Sequence, residues 1–276
     1  MAFRSEIELY APSGVLRARH TSVITVHADG NIAFEFEVTV RCDVAAVSLP
    51  RVGWALELPP ELSVVTYHGL GPDENYPDRK AAAVLAAHQA HLYEMHTPYV
   101  VPSENGLRCD ARWTQLSEAD GRNGHGLWIG GMRPFAFSAS KYSTEELAAA
   151  KHDDELPKVG MSRILHGTPH PVHVHVDCAH MGVGGDTGWS RSVHAAHLVP
   201  QGTYRFGLVL RYVPSQNSGL LPSRHCGPIF GAFEALPKFE PRRERVTLVW
   251  LLLLALLCAL LCTVYNLYFR NSISLV

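Results

Sequence analysis

From residue 20 to residue 40 the chain alternates apolar and polar side chains, and the alternation is broken once, at Asp29-Gly30-Asn31. A period of two puts Ile32, Phe34, Phe36, Val38 and Val40 on one face and Ala33, Glu35, Glu37 and Thr39 on the other. No helix can keep such a face apolar, so this stretch predicts a β-hairpin with one face buried and one wetter. The same reading extends along the chain. Strands are expected at Val52 to Leu58, at Leu62 to Tyr67, near Arg112 to Leu116, around Phe135 and Phe137, at residues 171–178 and at Thr203 to Val213. The segments between them, 69–78 and 98–109, are dominated by Gly, Pro, Asp and Asn, which is turn chemistry. Residues 1–213 therefore read as one all-β unit.

Two short helices are expected to interrupt it. Ala81 to Ala90 is Ala-rich and follows Pro77-Asp78-Arg79. Ser143 to Lys151 starts with Ser143 and carries Glu146 three residues on, a capping box that would turn Leu147 and Ala150 toward the sheet. Residues 214–245 are rich in Pro and Gly and poor in β-branched residues, and read as a linker with a basic flank. No internal repeat occurs at a fixed period.

Residues 246–265, VTLVWLLLLALLCALLCTVY, contain no charge. At ~1.5 Å per residue such a helix reaches ~30 Å, the hydrocarbon thickness of a bilayer. A transmembrane helix is expected over 246–269, followed by a short tail, 270–276. Trp250, Tyr265 and Tyr268 would sit at headgroup level. Lys238, Arg242, Arg243 and Arg245 precede the span and Arg270 follows it, so the positive-inside rule orients residues 1–213 toward the cytosol. Met1 to Pro12 has no signal-peptide run. The expectation is a single-pass, tail-anchored protein in a lipid bilayer, with Cys42, Cys109, Cys178 and Cys226 as free thiols in a reducing compartment. Cys258 and Cys262, inside the span, would serve packing. The balance of 24 Lys+Arg against 26 Asp+Glu, with no aromatic interleaving of the cations, argues against a nucleic-acid partner.

Three blocks carry more specific information. They are Gly69-Leu70-Gly71-Pro72-Asp73-Glu74-Asn75-Tyr76-Pro77-Asp78-Arg79, then Thr97-Pro98-Tyr99-Val100-Val101-Pro102-Ser103-Glu104-Asn105-Gly106-Leu107-Arg108-Cys109, then His180-Met181-Gly182-Val183-Gly184-Gly185-Asp186. In order and spacing they resemble the C-terminal domain of bacterial-type β-galactosidases of glycoside hydrolase family 2, the small chain of two-chain versions. Phe137, Ser138, Ser140, Tyr142, Ser143, Trp189, Ser190 and Tyr204 extend the resemblance, which covers roughly residues 15–213. It implies a large two-layer antiparallel supersandwich of the mutarotase-like kind that packs on a catalytic barrel and helps shape a galactoside pocket. It also implies that the acid/base and nucleophile glutamates, and the Mg and Na ions of the family, belong to that barrel. Eight βα units need ~250 residues, and the 245 residues ahead of the expected span are mainly β-patterned, so no barrel is expected in this chain. The expected partners are thus a barrel-bearing large subunit or oligomer, and galactosides.

One position departs from the family. Four residues before Asp177, where the family lends the sugar a Trp face, stands His173. An imidazole is a smaller platform and titrates, so His173 is the single candidate substrate-binding residue. Gly71, Glu74, Asn75, Tyr76, Arg79, Glu104, Asn105, Gly106, Arg108, His180, Gly182 and Asp186 are candidate structural residues of the matched blocks. Glu74 and Glu104 could form the carboxyl pair of a retaining glycosidase, which needs them ~5 Å apart. The plainer expectation is that each accepts backbone N–H groups or pairs with Arg79 or Arg108. His173, His175 and Asp177 share a strand face, and with His170 or His180 a zinc site is geometrically conceivable. The plainer expectation is an amphipathic strand with Val172, Val174 and Val176 in the core. Gly182, Gly184 and Gly185 lack the Gly-Lys-Ser/Thr of a phosphate loop and suggest a turn that Asp186 ties down. Three functions stay open: a non-catalytic β-galactosidase component, a membrane-tethered binding or scaffold domain, and a truncated gene product.

Overall fold

The computed structural model describes residues 1–41, 48–118, 125–156, 170–185 and 192–214. Linker 214–245, apart from Pro214, the expected span 246–269 and Asp186 lie outside them, as do Cys42 and Cys226. Among the described residues no helix is long and apolar enough to cross a membrane.

Among the described residues the fold has ten strands, β1 (Ala2–Tyr10), β2 (Leu16–Val26), β3 (Ile32–Val40), β4 (Arg51–Leu58), β5 (Val64–Gly71), β6 (Val84–His91), β7 (Arg108–Ser117), β8 (Gly126–Ser140), β9 (Val172–His180) and β10 (Gly202–Val213), and one α-helix, α1 (Thr144–Ala149). Every named strand pair is antiparallel, and the main path runs β1-β2-β3-β10-β8-β7-β5-β6. The long β8 makes the architecture. Its first half, Gly126 to Gly131, lies between β10 and β7. Its second half, Ala136 to Ser140, pairs with β9, which pairs with β4. The sheet thus folds over itself into an all-β antiparallel sandwich. Trp54 of β4 lies 4.7 Å from Phe34 and 5.8 Å from Phe36 of β3, ring centre to ring centre, where the layers meet. Val172, Val174 and Val176 of β9 join Phe137, Tyr67, Leu116, Ile129 and Leu208 in the same core.

The hairpin forms as its alternation requires. Val26 pairs with Ile32, Gly30 takes φ +83°, and Asp29 Oδ1 accepts the Asn31 N–H at 3.1 Å. The capping box of α1 is also present: Ser143 Oγ accepts the Glu146 N–H at 3.1 Å and Glu146 Oε2 accepts the Ser143 N–H at 2.8 Å. Leu147 and Ala150 are buried beneath it.

The Ala-rich segment 81–90 corrects one expectation. It is not a helix; Val84 to His91 is strand β6, paired with β5 from Val64 to Gly71. Helix propensity favours alanine by only tenths of a kcal/mol per residue. Without β6, the outer N–H and C=O groups of β5 would have no strand partner, and a ladder outweighs so weak a preference.

Candidate functional site

The first two blocks build a hydrogen-bonded frame. Asn75 is 2% exposed and makes three side-chain hydrogen bonds. Its Nδ2 donates to the carbonyls of Leu70 and Asp73, both at 3.0 Å, and its Oδ1 accepts the Cys109 N–H at 2.8 Å. Asn105 clips Thr97 from both sides, accepting its N–H at 2.9 Å and donating to its carbonyl at 2.6 Å. Gly106 has φ +73°, and a Cβ there would lie 2.8 Å from the Met95 carbonyl oxygen, so only glycine fits. Buried Arg108 donates to the Pro72, Met95 and Gly106 carbonyls and meets no carboxylate.

Glu74 is fully committed. Its carboxylate accepts from Arg79 Nη2 at 2.6 Å, from the Tyr99 hydroxyl, from the Tyr76 hydroxyl at 3.1 Å and from the Gly106 N–H at 2.9 Å. Four donors fill a carboxylate, so Glu74 ties the first two blocks together and has nothing left for a substrate. Burial comes first among the causes that push the Tyr76 phenol far above its usual range, and the Glu74 charge adds to it.

The third block closes on Asp78, while Asp186 lies outside the described residues. Asp78 Oδ1 accepts the Val183 N–H at 3.1 Å and Oδ2 the Gly184 N–H at 2.8 Å. Gly184 and Gly185 take φ +67° and +86°. A Cβ on Gly182 would lie 2.3 Å from Asp78 Oδ2, so glycine lets the carboxylate reach the loop.

The remaining polar residues converge on the outer face of β4, β9 and β8. Register puts Gly53, Ala55 and Glu57 beside Asp177, His175 and His173, and these beside Ala136, Ser138 and Ser140. A cleft of about 190 Å³ opens on this face, walled by Tyr142, Thr144, Leu147 and Ala148 of the α1 region and by residues 103–105. At its base Arg51 joins two carboxyls. Nη2 donates to Glu104, and Nη1 stands 3.7 Å from Asp177 Oδ2. His180 turns Nδ1 toward the Met181 carbonyl at 2.7 Å and Nε2 toward Arg51 Nη2 at 3.3 Å. Glu104 thus pairs with Arg51, not with Arg108.

The two carboxyls are driven apart. Burial raises Asp177 to about 6, against the opposing pull of Arg51 and His180. Burial would raise Glu104 too, but His180 and Arg51 overcome it and hold it at about 2. Split carboxyl pairs are the signature of acid–base sites. Here, however, Asp177 is 1% exposed, and the Arg51 guanidinium lies between the two groups. A sealed acid cannot protonate a glycosidic oxygen. The arrangement anchors β4, β9 and the 103–105 loop to one another.

Asp177 also explains a β-bulge. Gly53 faces Asp177 while Val52 faces Ala179, leaving Cys178 as the extra residue. A Cβ on Gly53 would lie 2.2 Å from Asp177 Oδ1 and 2.4 Å from the Val176 carbonyl. Cys178 and Cys109 are free thiols, and burial pushes them up to about 11 and about 12.

His173, His175 and Asp177 do share a face, but they do not gather. Successive same-face residues lie ~7 Å apart along a strand. His173 turns toward Glu57 at 3.6 Å, whereas His175 borders the cleft. Among the described residues no group of three His, Cys, Asp or Glu could hold a metal ion. Arg51 carries no motif signal; it is a lone cation at a strand start, and only the fold shows that it binds two blocks.

Residues 4–210 match the model of the β-galactosidase small chain. The chain belongs to the β-galactosidase small-chain family. It is 39% identical over 193 residues to a β-galactosidase of Vibrio vulnificus, covering 69% of this chain and 16% of that protein. Against a β-galactosidase of Vibrio cholerae the identity is 40% over 186 residues, covering 67% and 16%. This small-chain domain thus spans about a sixth of the length of the relatives it matches. A galactose mutarotase related enzyme of Lactobacillus acidophilus is a distant structural likeness, with TM-score 0.32, 9% identity, and coverage of 78% of this chain and 69% of that one.

Proposed function

We propose that the chain is a non-catalytic component of a β-galactoside-hydrolysing assembly, completing the sugar site of a barrel-bearing partner. The observation that carries this reading is the small-chain match over residues 4–210, together with relatives named β-galactosidases of whose length the aligned part covers about a sixth. The side-chain geometry agrees with it. Glu74 is saturated, Glu104 is locked in an ion pair and Asp177 is sealed, so none of the three is placed to act as acid or nucleophile. His173, at 7% exposure, offers a sugar little surface, and what the domain supplies is the shape of the pocket wall. Purified alone, the chain is expected to leave a chromogenic galactoside intact. Mixed with a barrel-bearing large chain lacking this domain, it is expected to restore hydrolysis in proportion to the amount added. Turnover by the chain alone, abolished by Glu104→Gln, would overturn the reading; so would a failure to restore activity.

The uncharged run 246–265 supports a second element of the proposal: a bilayer span with the sandwich on the side of Lys238, Arg242, Arg243 and Arg245. The chain should remain in the membrane pellet after alkaline carbonate, and Leu254→Arg with Leu257→Arg should release it. Recovery of the unmodified chain in the supernatant would refute the span. Retention in the pellet without complementation would instead favour a tethered binding domain.

A further inference from the structure

Among the described residues strand β1 ends the sheet without a partner on its outer side, and all nine of its residues are exposed. Its side chains segregate cleanly. Phe3, Ser5, Ile7 and Leu9 point to one face and Arg4, Glu6 and Glu8 to the other. Through the β1–β2 and β2–β3 registers the first set continues the face that carries Phe34 and Phe36. Phe3, Ile7 and Leu9 nevertheless remain 36%, 38% and 56% exposed. An edge strand of this length with an apolar face invites another strand.

The backbone phase narrows the choice of partner. Met1 and Val26 exchange N–H to carbonyl bonds at 2.9 and 2.8 Å. In an antiparallel ladder the bonded residues alternate. The odd-numbered residues of β1 therefore bond to β2, and the N–H and C=O groups of Ala2, Arg4, Glu6 and Glu8 point outward. A second copy of β1, laid antiparallel, must match even residues with even ones. With the two-fold axis at Ser5, Arg4 of each copy faces Glu6 of the other, Phe3 faces Ile7, and Ala2 faces Glu8. Both faces then carry favourable cross-strand pairs. Moving the axis to Arg4, Glu6 or Ile7 sets Arg4 against Arg4, Glu6 against Glu6, or Glu6 against Glu8. The segment is thus self-complementary in one register.

We propose that β1 is a homodimerisation edge, in which two copies of this chain join their sheets through antiparallel β1–β1 pairing centred on Ser5. The interface is isologous, as a two-fold dimer requires. Each pair of outward residues exchanges two main-chain hydrogen bonds, and the apolar stripes of the two copies become continuous. The inference is independent of the proposed enzymatic role.

The test uses the full chain in non-ionic detergent, with mass followed by light scattering over a concentration series. A concentration-dependent dimer is expected. Glu6→Pro removes an N–H that faces away from β2, so β1 keeps its ladder and the circular dichroism spectrum is unchanged, while self-association weakens by at least about tenfold. Arg4→Glu alone should also weaken it, by setting Glu against Glu6, and Arg4→Glu with Glu6→Arg should restore it to within about threefold. In Ser5→Cys the two sulfurs fall on the axis at a close, non-hydrogen-bonded position, where Cα atoms ~4.5 Å apart suit a disulfide. Mild oxidation of that variant should yield, by mass spectrometry, two copies of the N-terminal peptide joined through a disulfide at the substituted position. A chain that stays monomeric throughout, as it would if β1 served only a strand of a different protein, overturns the proposal. So does a dimer that survives Glu6→Pro, or a charge swap that fails to restore what the single substitution lost.

Discussion

Arg51→Met is expected to destabilise the domain by about 3 to 5 kcal/mol near neutral pH, the range found when one member of a buried ion pair is removed. Arg51 is the nearest cation to Asp177, which is 1% exposed, and it also neutralises Glu104. Methionine keeps much of the volume and none of the charge. Asp177 would then have to stay ionised without its counter-charge or take up a proton at the pH of the experiment. The loss should therefore shrink in acid, where Asp177 is protonated already. Arg51→Lys should fall between, because a single ammonium cannot serve both carboxyls as a guanidinium does. Asp177→Asn placed on Arg51→Met should recover part of the loss, and a double-mutant cycle would isolate the coupling. Urea unfolding followed by tryptophan emission reads all four proteins. A loss below about 1 kcal/mol for Arg51→Met would mean that the cluster contributes little to holding β4, β9 and the 103–105 loop together.

Between about pH 4 and pH 6.5 the unmodified chain is expected to show nearly level stability that conceals two opposed slopes. Burial raises Asp177 from 3.8 to about 6, so in this window the folded protein holds a proton that the unfolded chain gives up. The Asp177 contribution is complete below 3.8 and is lost as pH rises through about 6. His175 behaves oppositely. Burial first, and the nearby Arg51 charge second, lower it from 6.5 to about 4, so here the unfolded chain binds the extra proton. Its contribution is present above 6.5 and is lost as pH falls through about 4. Each displacement corresponds to roughly 3 kcal/mol at ~1.4 kcal/mol per pH unit. Asp177→Asn should expose a rise in stability across the window, and His175→Gln a fall. Glu104, held at about 2, adds its own loss only as pH drops below 4.5 toward that value. Urea midpoints measured in half-unit steps would decide the matter. Slopes of the same sign in both variants would show that the two groups do not oppose each other.

Local periodicity and local hydrogen bonding were enough to specify much of this domain. The alternation at 32–40 determined β3, and Asp29-Gly30-Asn31 determined its turn, because both depend on neighbours within a few residues. Ser143 and Glu146 determined the start of α1 for the same reason. Asn75, Asn105, Gly106 and Arg108 of the matched blocks are buried or tightly bonded in the fold. Periodicity failed at 81–90, where alanine's preference for helix is weak and the demand of β5 for a ladder partner is invisible along the chain. It was equally silent on Arg51. The partners of Arg51, Glu104 and Asp177, are 53 and 126 positions away. Which cation neutralises which carboxyl is set by the fold of β8, which carries β9 and β4 onto the second layer. Glu74 gives the same lesson, since one of its four donors is the Gly106 N–H, 32 residues on. Side-chain type along the chain determined most of the strands and much of the core. The tertiary structure alone decided which charges meet, because Coulomb energy depends on distances that only the closed sandwich defines.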